Sequence, residues 1–171
     1  MELAGKAWEA APDWAGISRV KIKKKNGYNS MKRIVYLCTG NSCRSQMAEA
    51  WTRHLQADEW QAFSAGSAPS AMDPLAMEAM KMAGVDISRQ RPKPMGEFLE
   101  QNFDYIVTLC DNARAACPMF QGGGKKVHRG FDDPPALARF AKTHAGAMAH
   151  YLRVTDEIKE MVLGLPQSLE E

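Results

Sequence analysis

The sequence has no apolar stretch long enough to cross a membrane. Its apolar runs, such as residues 105–110, fall far short of the roughly 20 residues that a spanning helix needs. Acidic and basic side chains interrupt the N-terminal segment before a signal-peptide pattern can form. Internal repeats are absent as well. The lack of a spanning segment and of a signal peptide predicts a cytoplasmic protein. A length of 171 residues is enough for one domain with a single core.

Cysteine pairs with the spacing of a zinc knuckle are also missing. The four cysteines, Cys38, Cys43, Cys110 and Cys117, form C-x4-C and C-x6-C spacings rather than the C-x2-C that structural zinc prefers. We therefore expect no metal. In a cytoplasmic chain such cysteines are more often catalytic or redox-active than joined in structural disulfides.

The net charge of +2 hides an uneven distribution. Residues 1–33 carry eight basic and three acidic side chains, so they contribute +5 and the remainder −3. Three lysines, Lys23 to Lys25, could indicate a tail for nucleic acid or a membrane surface, but no basic helix face accompanies them. We expect residues 1–30 to be a disordered basic extension without either partner. The domain is then expected to cover residues 31–165, with a tail at 166–171.

Strand and helix patterns alternate along the rest of the chain. Short apolar runs predict strands near residues 34–37, 62–64, 105–109 and 126–128. Helical spacing predicts helices from Ser45 through Leu55, from the Asp73 cap to Gly84, and through residues 151–164. Such alternation indicates a parallel sheet that is covered on both faces, with ligands bound beyond the carboxyl ends of the strands. Cys38 and Cys110 each follow a strand, so their thiols should face one cleft.

Residues 38–45 have the form C-x5-R-S between a strand and a helix, which is typical of an oxyanion-binding loop. A tight loop before a helix directs unpaired backbone N–H groups and the positive end of the helix dipole into one concavity. Arg44 can clamp two oxygens of the anion, and the Ser45 hydroxyl can donate to the Cys38 sulfur. We expect this field to lower the pKa of Cys38, making it a nucleophilic thiolate. The predicted anion-binding residues are Cys38 (the nucleophile), Thr39, Gly40, Asn41, Ser42, Cys43, Arg44 and Ser45.

Two further features of the loop complete this prediction. Gly40 and Asn41 are residue types that tolerate left-handed backbone, which would let the loop curl. The alternative is a buried structural cysteine beside an exposed arginine. The glycine, asparagine and serine content of the loop disfavours that alternative. Cys43 is expected to pack within the loop and is assigned no redox role.

Residues 37–49, with the sequence LCTGNSCRSQMAE, resemble the thioredoxin-coupled arsenate reductases, which are relatives of the low-molecular-weight protein tyrosine phosphatases. Residues 63–66, 107–110 with 117–119, and 130–134 carry the same resemblance, which extends over roughly residues 31–163. It implies an α/β fold: a single three-layer domain with a central four-stranded parallel sheet and helices on both faces.

The number of thiols separates reductase from phosphatase. Hydrolysis of a phosphate ester needs one nucleophile, whereas reducing arsenate to arsenite takes two electrons, which two thiols supply by becoming a disulfide. The resemblance implies that Cys38 attacks arsenate, that Cys110 attacks Cys38 as arsenite leaves, and that Cys117 then forms a disulfide with Cys110. Thioredoxin would reduce that disulfide. The alternative in which Cys110 and Cys117 are inert core residues is disfavoured beside such a loop.

Helix geometry adds a prediction about residues 110–117. If residues 111–116 are helical, the two cysteines lie about 10 Å apart along the axis. A disulfide tolerates a Cα separation of only about 7 Å. Oxidation must then unwind or loop out this segment, and this should expose Cys117.

Asp133 is the candidate general acid. The leaving hydroxide needs a proton, and a nearby carboxylic acid can deliver it. On residue type alone, Asp132 competes for this role, and an Asp-Pro pair often only begins a turn. The resemblance selects Asp133, the residue that precedes Pro134. Related phosphatases usually have aromatic residues just after this pair, whereas Pro135 and Ala136 follow here, which disfavours phosphotyrosine as substrate.

The resemblance also raises the question of a potassium ion. Some members of the family bind potassium with residues that match Asn41, Glu49 and Ser64 and with a further acidic residue. Lys93 stands at that fourth position here, and its ammonium group could replace the ion. We therefore expect no potassium requirement.

The sequence thus predicts an arsenate reductase for detoxification that needs no cofactor of its own. Its partners would be arsenate, with phosphate or sulfate as competing oxyanions, and thioredoxin. Two alternatives stay open at this point: a phosphatase for small phosphoesters, and a non-enzymatic sensor of oxyanions or redox state.

Overall fold

The computed structural model describes residues 31–117 and 123–170, so the predicted extension at residues 1–30 lies outside it. Its four strands are β1 (Lys32–Cys38), β2 (Trp60–Gly66), β3 (Tyr105–Thr108) and β4 (Lys125–His128). Five α-helices follow in chain order: α1 (Arg44–Leu55), α2 (Pro74–Met82), α3 (Asp111–Ala116), α4 (Pro134–Ala138) and α5 (His144–Leu163). Short 3-10 turns lie at Met95–Glu97 and Gln167–Leu169.

The strands form one parallel sheet in the order β2-β1-β3-β4. This confirms the predicted four-stranded parallel sheet. Its central strand β1 is buried from residue 34 onward, as expected for a short apolar run. From β1 the chain adds β2 on one side of the sheet and then crosses to add β3 on the other side, so the strand order changes direction between β1 and β3. Open parallel sheets hold ligands at such a point.

Alternate side chains of β1 supply two cores, one on each face of the sheet. Ile34 and Tyr36 pack with the apolar faces of α1, α2 and α5. Val35 and Leu37 pack on the other face, with the segment around Phe98 and with α3. The sheet is therefore covered on both faces, in three layers. Packing continues past residue 165, because Leu169 is buried against α5.

Helix boundaries differ from the sequence predictions mainly in length. Helix α1 begins at Arg44, one residue early. Helix α2 starts at the predicted Asp73 cap, whose carboxylate accepts from the N–H groups of Leu75 and Ala76. Helix α5 begins at His144, capped by Thr143, earlier than predicted, because its first two turns consist mainly of small residues that show no clear apolar periodicity. None of the helices within residues 31–117 and 123–170 is long and apolar enough to cross a membrane.

Candidate active site

The predicted oxyanion loop lies at the reversal point of the sheet, between β1 and α1. The backbone carbonyls of Cys38, Thr39, Gly40 and Ser42 accept hydrogen bonds from the N–H groups of Ser67, Ala68, Ser70 and Asp73, at 2.9–3.2 Å. The carbonyl of Asn41 accepts from the Gln46 side chain at 2.8 Å. Because the carbonyls are bonded outward, the N–H groups of the loop are left to face its concavity.

The left-handed backbone that was expected at two positions occurs at one. Asn41 has φ +47°, a conformation that asparagine tolerates better than most residues. For Gly40 the prediction is wrong, since its φ is not positive. A Cβ at Gly40 would lie 2.8 Å from Ser70 Oγ, a side-chain atom that can rotate away. Gly66 is constrained more strictly, since its Cβ would lie 2.6 Å from the backbone carbonyl oxygen of Thr39.

A chain of hydrogen bonds orients a proton donor toward the Cys38 sulfur. The N–H of Lys93 donates to Asn41 Oδ1 at 2.7 Å, so the amide nitrogen of Asn41 faces Ser45. That nitrogen donates to Ser45 Oγ at 2.8 Å. Ser45 Oγ lies 2.8 Å from Cys38 Sγ, and it donates its proton to the sulfur when Cys38 is a thiolate, which can only accept. The N–H of Asn41 also donates to the sulfur, at 3.0 Å.

The expected fall in the pKa of Cys38 is not observed. Burial raises the pKa of this thiol, and the hydrogen bonds from Ser45 and Asn41 lower it by less. The prediction is wrong because Cys38 is only 4% exposed at the end of a central strand, where desolvation of a thiolate is costly. Formation of the thiolate therefore depends on these hydrogen bonds.

Replacing Ser45 by alanine is expected to raise the pKa of Cys38 further, because it removes a hydrogen bond that stabilises the thiolate. The rate of iodoacetamide modification of the Cys38 peptide, followed by mass spectrometry against pH, measures this. The profile should move to higher pH. Ser42→Ala is the matched control in the same loop, and an unchanged profile for Ser45→Ala would contradict the proposed donor.

Arg44 connects the loop to the segment that carries the candidate acid. Its Nη1 donates to the Phe131 carbonyl at 2.9 Å, and its Nη2 lies 3.3 Å from Asp133 Oδ1. Asp132 instead pairs with Arg153 at 2.7 Å. The sequence left both aspartates open on residue type alone, and the structure places Asp133 beside the loop. Asp133 also precedes α4 without capping it through its side chain, so its carboxylate is available to the loop.

The second thiol lies beside the first, as expected for residues that follow neighbouring strands. Cys110 Sγ is 3.5 Å from Thr39 Oγ1, so a loop residue contacts it directly. Cys110 lies at the start of α3 and is half-buried. Cys117 lies at the end of the same helix and is only 7% exposed. Burial raises the pKa of Cys117. The four cysteines are all free thiols.

Cys43 packs in the loop, as expected. It is 5% exposed, and burial, followed by the neighbouring Asp73, raises the pKa of its thiol well above the ordinary value. An uncharged, buried thiol at the cap position of α1 is consistent with a packing role.

The residues matched to a potassium site form an ion-pair network around Glu49. Lys93 Nζ lies 3.1 Å from Glu49 Oε2, which also accepts from the Ser64 hydroxyl. Arg53 Nη2 lies 2.5 Å from Glu49 Oε1. The ammonium group of Lys93 thus contacts Glu49, one of the residues matched to the ion site, whereas Lys93 contacts Asn41 through its backbone N–H.

A pair of glutamines that was not predicted from the sequence supports the oxyanion loop through hydrogen bonds. Gln46 is fully buried, and its amide nitrogen donates to the carbonyl and side-chain oxygens of Asn41 and to the Arg91 carbonyl at 2.8–3.1 Å. Gln90 donates to Gln46 Oε1 at 2.5 Å. A glutamine in the first turn of an amphipathic helix resembles a solvent-facing residue, so periodicity contains no signal for it.

Comparison with known proteins is consistent with this geometry. The family model described as "Low molecular weight phosphotyrosine protein phosphatase" matches residues 33–171. The arsenate reductase of Bacillus subtilis (strain 168) is 46% identical over 127 residues, which cover 74% of this chain and 89% of that protein.

Two solved structures share the fold. One is described as an arsenate reductase in the phosphate binding state; it is 27% identical, covers 81% of this chain and 99% of its own, and has a TM-score of 0.68. The other is the thioredoxin-dependent arsenate reductase of Corynebacterium glutamicum, 24% identical, with 82% of this chain and 62% of that chain covered at a TM-score of 0.60.

Proposed function

This chain belongs to the low molecular weight phosphotyrosine protein phosphatase family, and from that premise we propose that it is an arsenate reductase that is recycled by thioredoxin. Its named relative at 46% identity is an arsenate reductase. The observation that carries the proposal is the second thiol: Cys110 Sγ touches Thr39 of the oxyanion loop, where a phosphatase needs no such group. The reaction belongs in the cytoplasm, where free thiols persist.

The first step is attack by Cys38 on arsenate held in the loop. The N–H groups of the loop and the Arg44 guanidinium bind the oxygens, and the Ser45 and Asn41 donors stabilise the attacking sulfur. A sulfur–arsenic bond forms and an arsenic–oxygen bond breaks. The departing hydroxide takes a proton from Asp133, which Arg44 holds at the mouth of the loop.

The next two steps move the electrons. Cys110 attacks the Cys38 sulfur, so a Cys38–Cys110 disulfide forms while the electron pair of the sulfur–arsenic bond goes to arsenic, which leaves as arsenite. Cys117 then attacks Cys110, which restores the Cys38 thiol and forms a Cys110–Cys117 disulfide. The dithiol of thioredoxin reduces that disulfide, completing a two-electron cycle.

Asp133→Asn is expected to slow the arsenate-dependent formation of the first disulfide by about 100-fold or more, the usual contribution of a general acid. The amide keeps the shape of the side chain but cannot supply the proton. Rapid mixing with arsenate, acid quenching and mass spectrometry of the disulfide measure the rate. Asp132→Asn is the matched control, since Asp132 pairs with Arg153 away from the loop. Equal rates in the two variants would show that Asp133 is not the acid.

The function itself is tested by consumption of NADPH with thioredoxin and thioredoxin reductase, with and without arsenate. Arsenate-dependent consumption together with stoichiometric arsenite supports the proposal. High turnover of a small phosphoester with no arsenate-dependent consumption would show a phosphatase instead. Oxidation that stops after one equivalent, with neither activity, would show a sensor.

A further inference from the structure

A cavity lined by charged side chains lies beside residues 89–93, a segment that is hydrogen-bonded to the oxyanion loop and to Gln46 after it. Its volume is about 310 Å³, which is at the small end of the range for ligand pockets. Four cationic side chains line it, namely Arg53, Arg89, Arg91 and Lys93, together with one carboxylate, Glu49. None of these residues has a role in the proposed reaction.

The positive charges of this cavity exceed the negative ones. Glu49 is only 1% exposed, and its carboxylate forms ion pairs with both Arg53 and Lys93. Arg91 pairs with Glu97 at the surface, at 3.2 Å. Arg89 makes no hydrogen bond or ion pair with any residue in the ranges 31–117 and 123–170. Asp86 interacts electrostatically with Arg89. Four cations against three carboxylates, Glu49, Glu97 and Asp86, leave one positive charge at the cavity.

From this arrangement we propose that the cavity is a binding site for a small tetrahedral dianion of the phosphate or sulfate type, separate from the oxyanion loop. Arginine guanidinium groups bind two oxygens of such anions at once, and Arg89 is positioned to do so without breaking an ion pair. Lys93, at 13% side-chain exposure, adds an ammonium group at the cavity wall. The excess of positive charge matches an anion better than a neutral ligand.

The wall of this cavity is bonded directly to the loop. Gln90 donates to Gln46, the Arg91 carbonyl accepts from Gln46, and the Lys93 N–H donates to Asn41. An anion that holds residues 89–93 in place therefore also holds Asn41 in its left-handed conformation. By linkage, an anion in the cavity and an anion in the loop each favour binding of the other. This coupling, unlike the site itself, rests on the proposed function of the loop.

The site is tested by titrating the full chain with sodium sulfate at constant ionic strength, made up with chloride, and following backbone amides by NMR. An Arg44→Ala background weakens binding in the loop and leaves the cavity intact. We expect the amides of residues 89–93 to shift along one saturating curve, with the Asn41 amide following it. Adding Arg89→Gln and Arg91→Gln should weaken this binding tenfold or more.

Lys81→Gln with Lys142→Gln is the control, because it removes the same charge at exposed positions that do not line the cavity. Its titration should match that of the Arg44→Ala background. Shifts at residues 89–93 that grow linearly without saturation, or that survive loss of both arginines, would overturn the site. Saturation at residues 89–93 with no movement of Asn41 would overturn the coupling. The readout needs no arsenate, so a negative result here leaves the reductase proposal intact.

Discussion

Cys110→Ser is expected to abolish arsenate reduction completely, including a single turnover without thioredoxin. The variant retains Cys38 and the whole loop, so the covalent sulfur–arsenic adduct can form. It lacks the thiol that must attack the Cys38 sulfur, and a serine hydroxyl cannot form the disulfide that supplies two electrons. Arsenite released per enzyme, measured after mixing the reduced protein with arsenate alone, should fall from one equivalent to none.

The same variant separates loss of chemistry from loss of folding. Hydrolysis of p-nitrophenyl phosphate uses only the loop, Cys38 and the acid, so any such activity should be retained in Cys110→Ser. Cys117→Ser is the matched control, because the first disulfide needs only Cys38 and Cys110; it should release one equivalent of arsenite. Release of arsenite by Cys110→Ser in the absence of any other thiol would contradict the assigned role of Cys110.

Much of this fold could be predicted because local patterns and tertiary packing agree. The apolar run at residues 34–37 is buried on both faces in the central strand, and Asp73 caps α2 where its sequence position indicates. Helix α4 was not predicted, since five residues after an Asp-Pro pair are too few for a helical period to show. The strand at residues 60–66 is longer than predicted because pairing with β1 extends it beyond its apolar centre.

The part of the candidate site that lies within one sequence motif could be predicted. The part that is formed by segments far apart in the sequence could not. The loop residues are adjacent in sequence, so their geometry follows from a strand, a turn and a helix. The segment at residues 67–73 bonds the loop carbonyls only because the fold brings it there. Gln90 is likewise brought by the fold to Gln46, the residue that follows the loop. The pKa of Cys38 was predicted with the wrong sign because a motif shows hydrogen-bond donors but not depth of burial.

Helix α3 is the part of the structure that the proposed cycle must change. Residues 111–116 are helical in this structure, with Cys110 at its N-terminal cap and Cys117 at its C-terminal cap. Seven residue steps from Cys110 to Cys117, at a helical rise, separate the two Cα atoms by about 10 Å along the axis, whereas a disulfide needs about 7 Å or less. Burial also raises the pKa of Cys117, which makes its thiol a poor nucleophile while the helix is intact.

Oxidation by arsenate is therefore expected to unwind α3 in the unchanged protein but not in Cys117→Ser. In the unchanged protein the Cys110–Cys117 disulfide forces the two ends together. The amides of residues 114–116, which lie beyond the first turn and can bond within the helix, should then exchange with solvent at least tenfold faster, as hydrogen–deuterium exchange would show. In Cys117→Ser the reaction stops at the Cys38–Cys110 disulfide, which places no constraint between the two ends of α3. Equal protection of these amides in reduced and fully oxidised protein would exclude a disulfide between Cys110 and Cys117, because the intact helix keeps them too far apart.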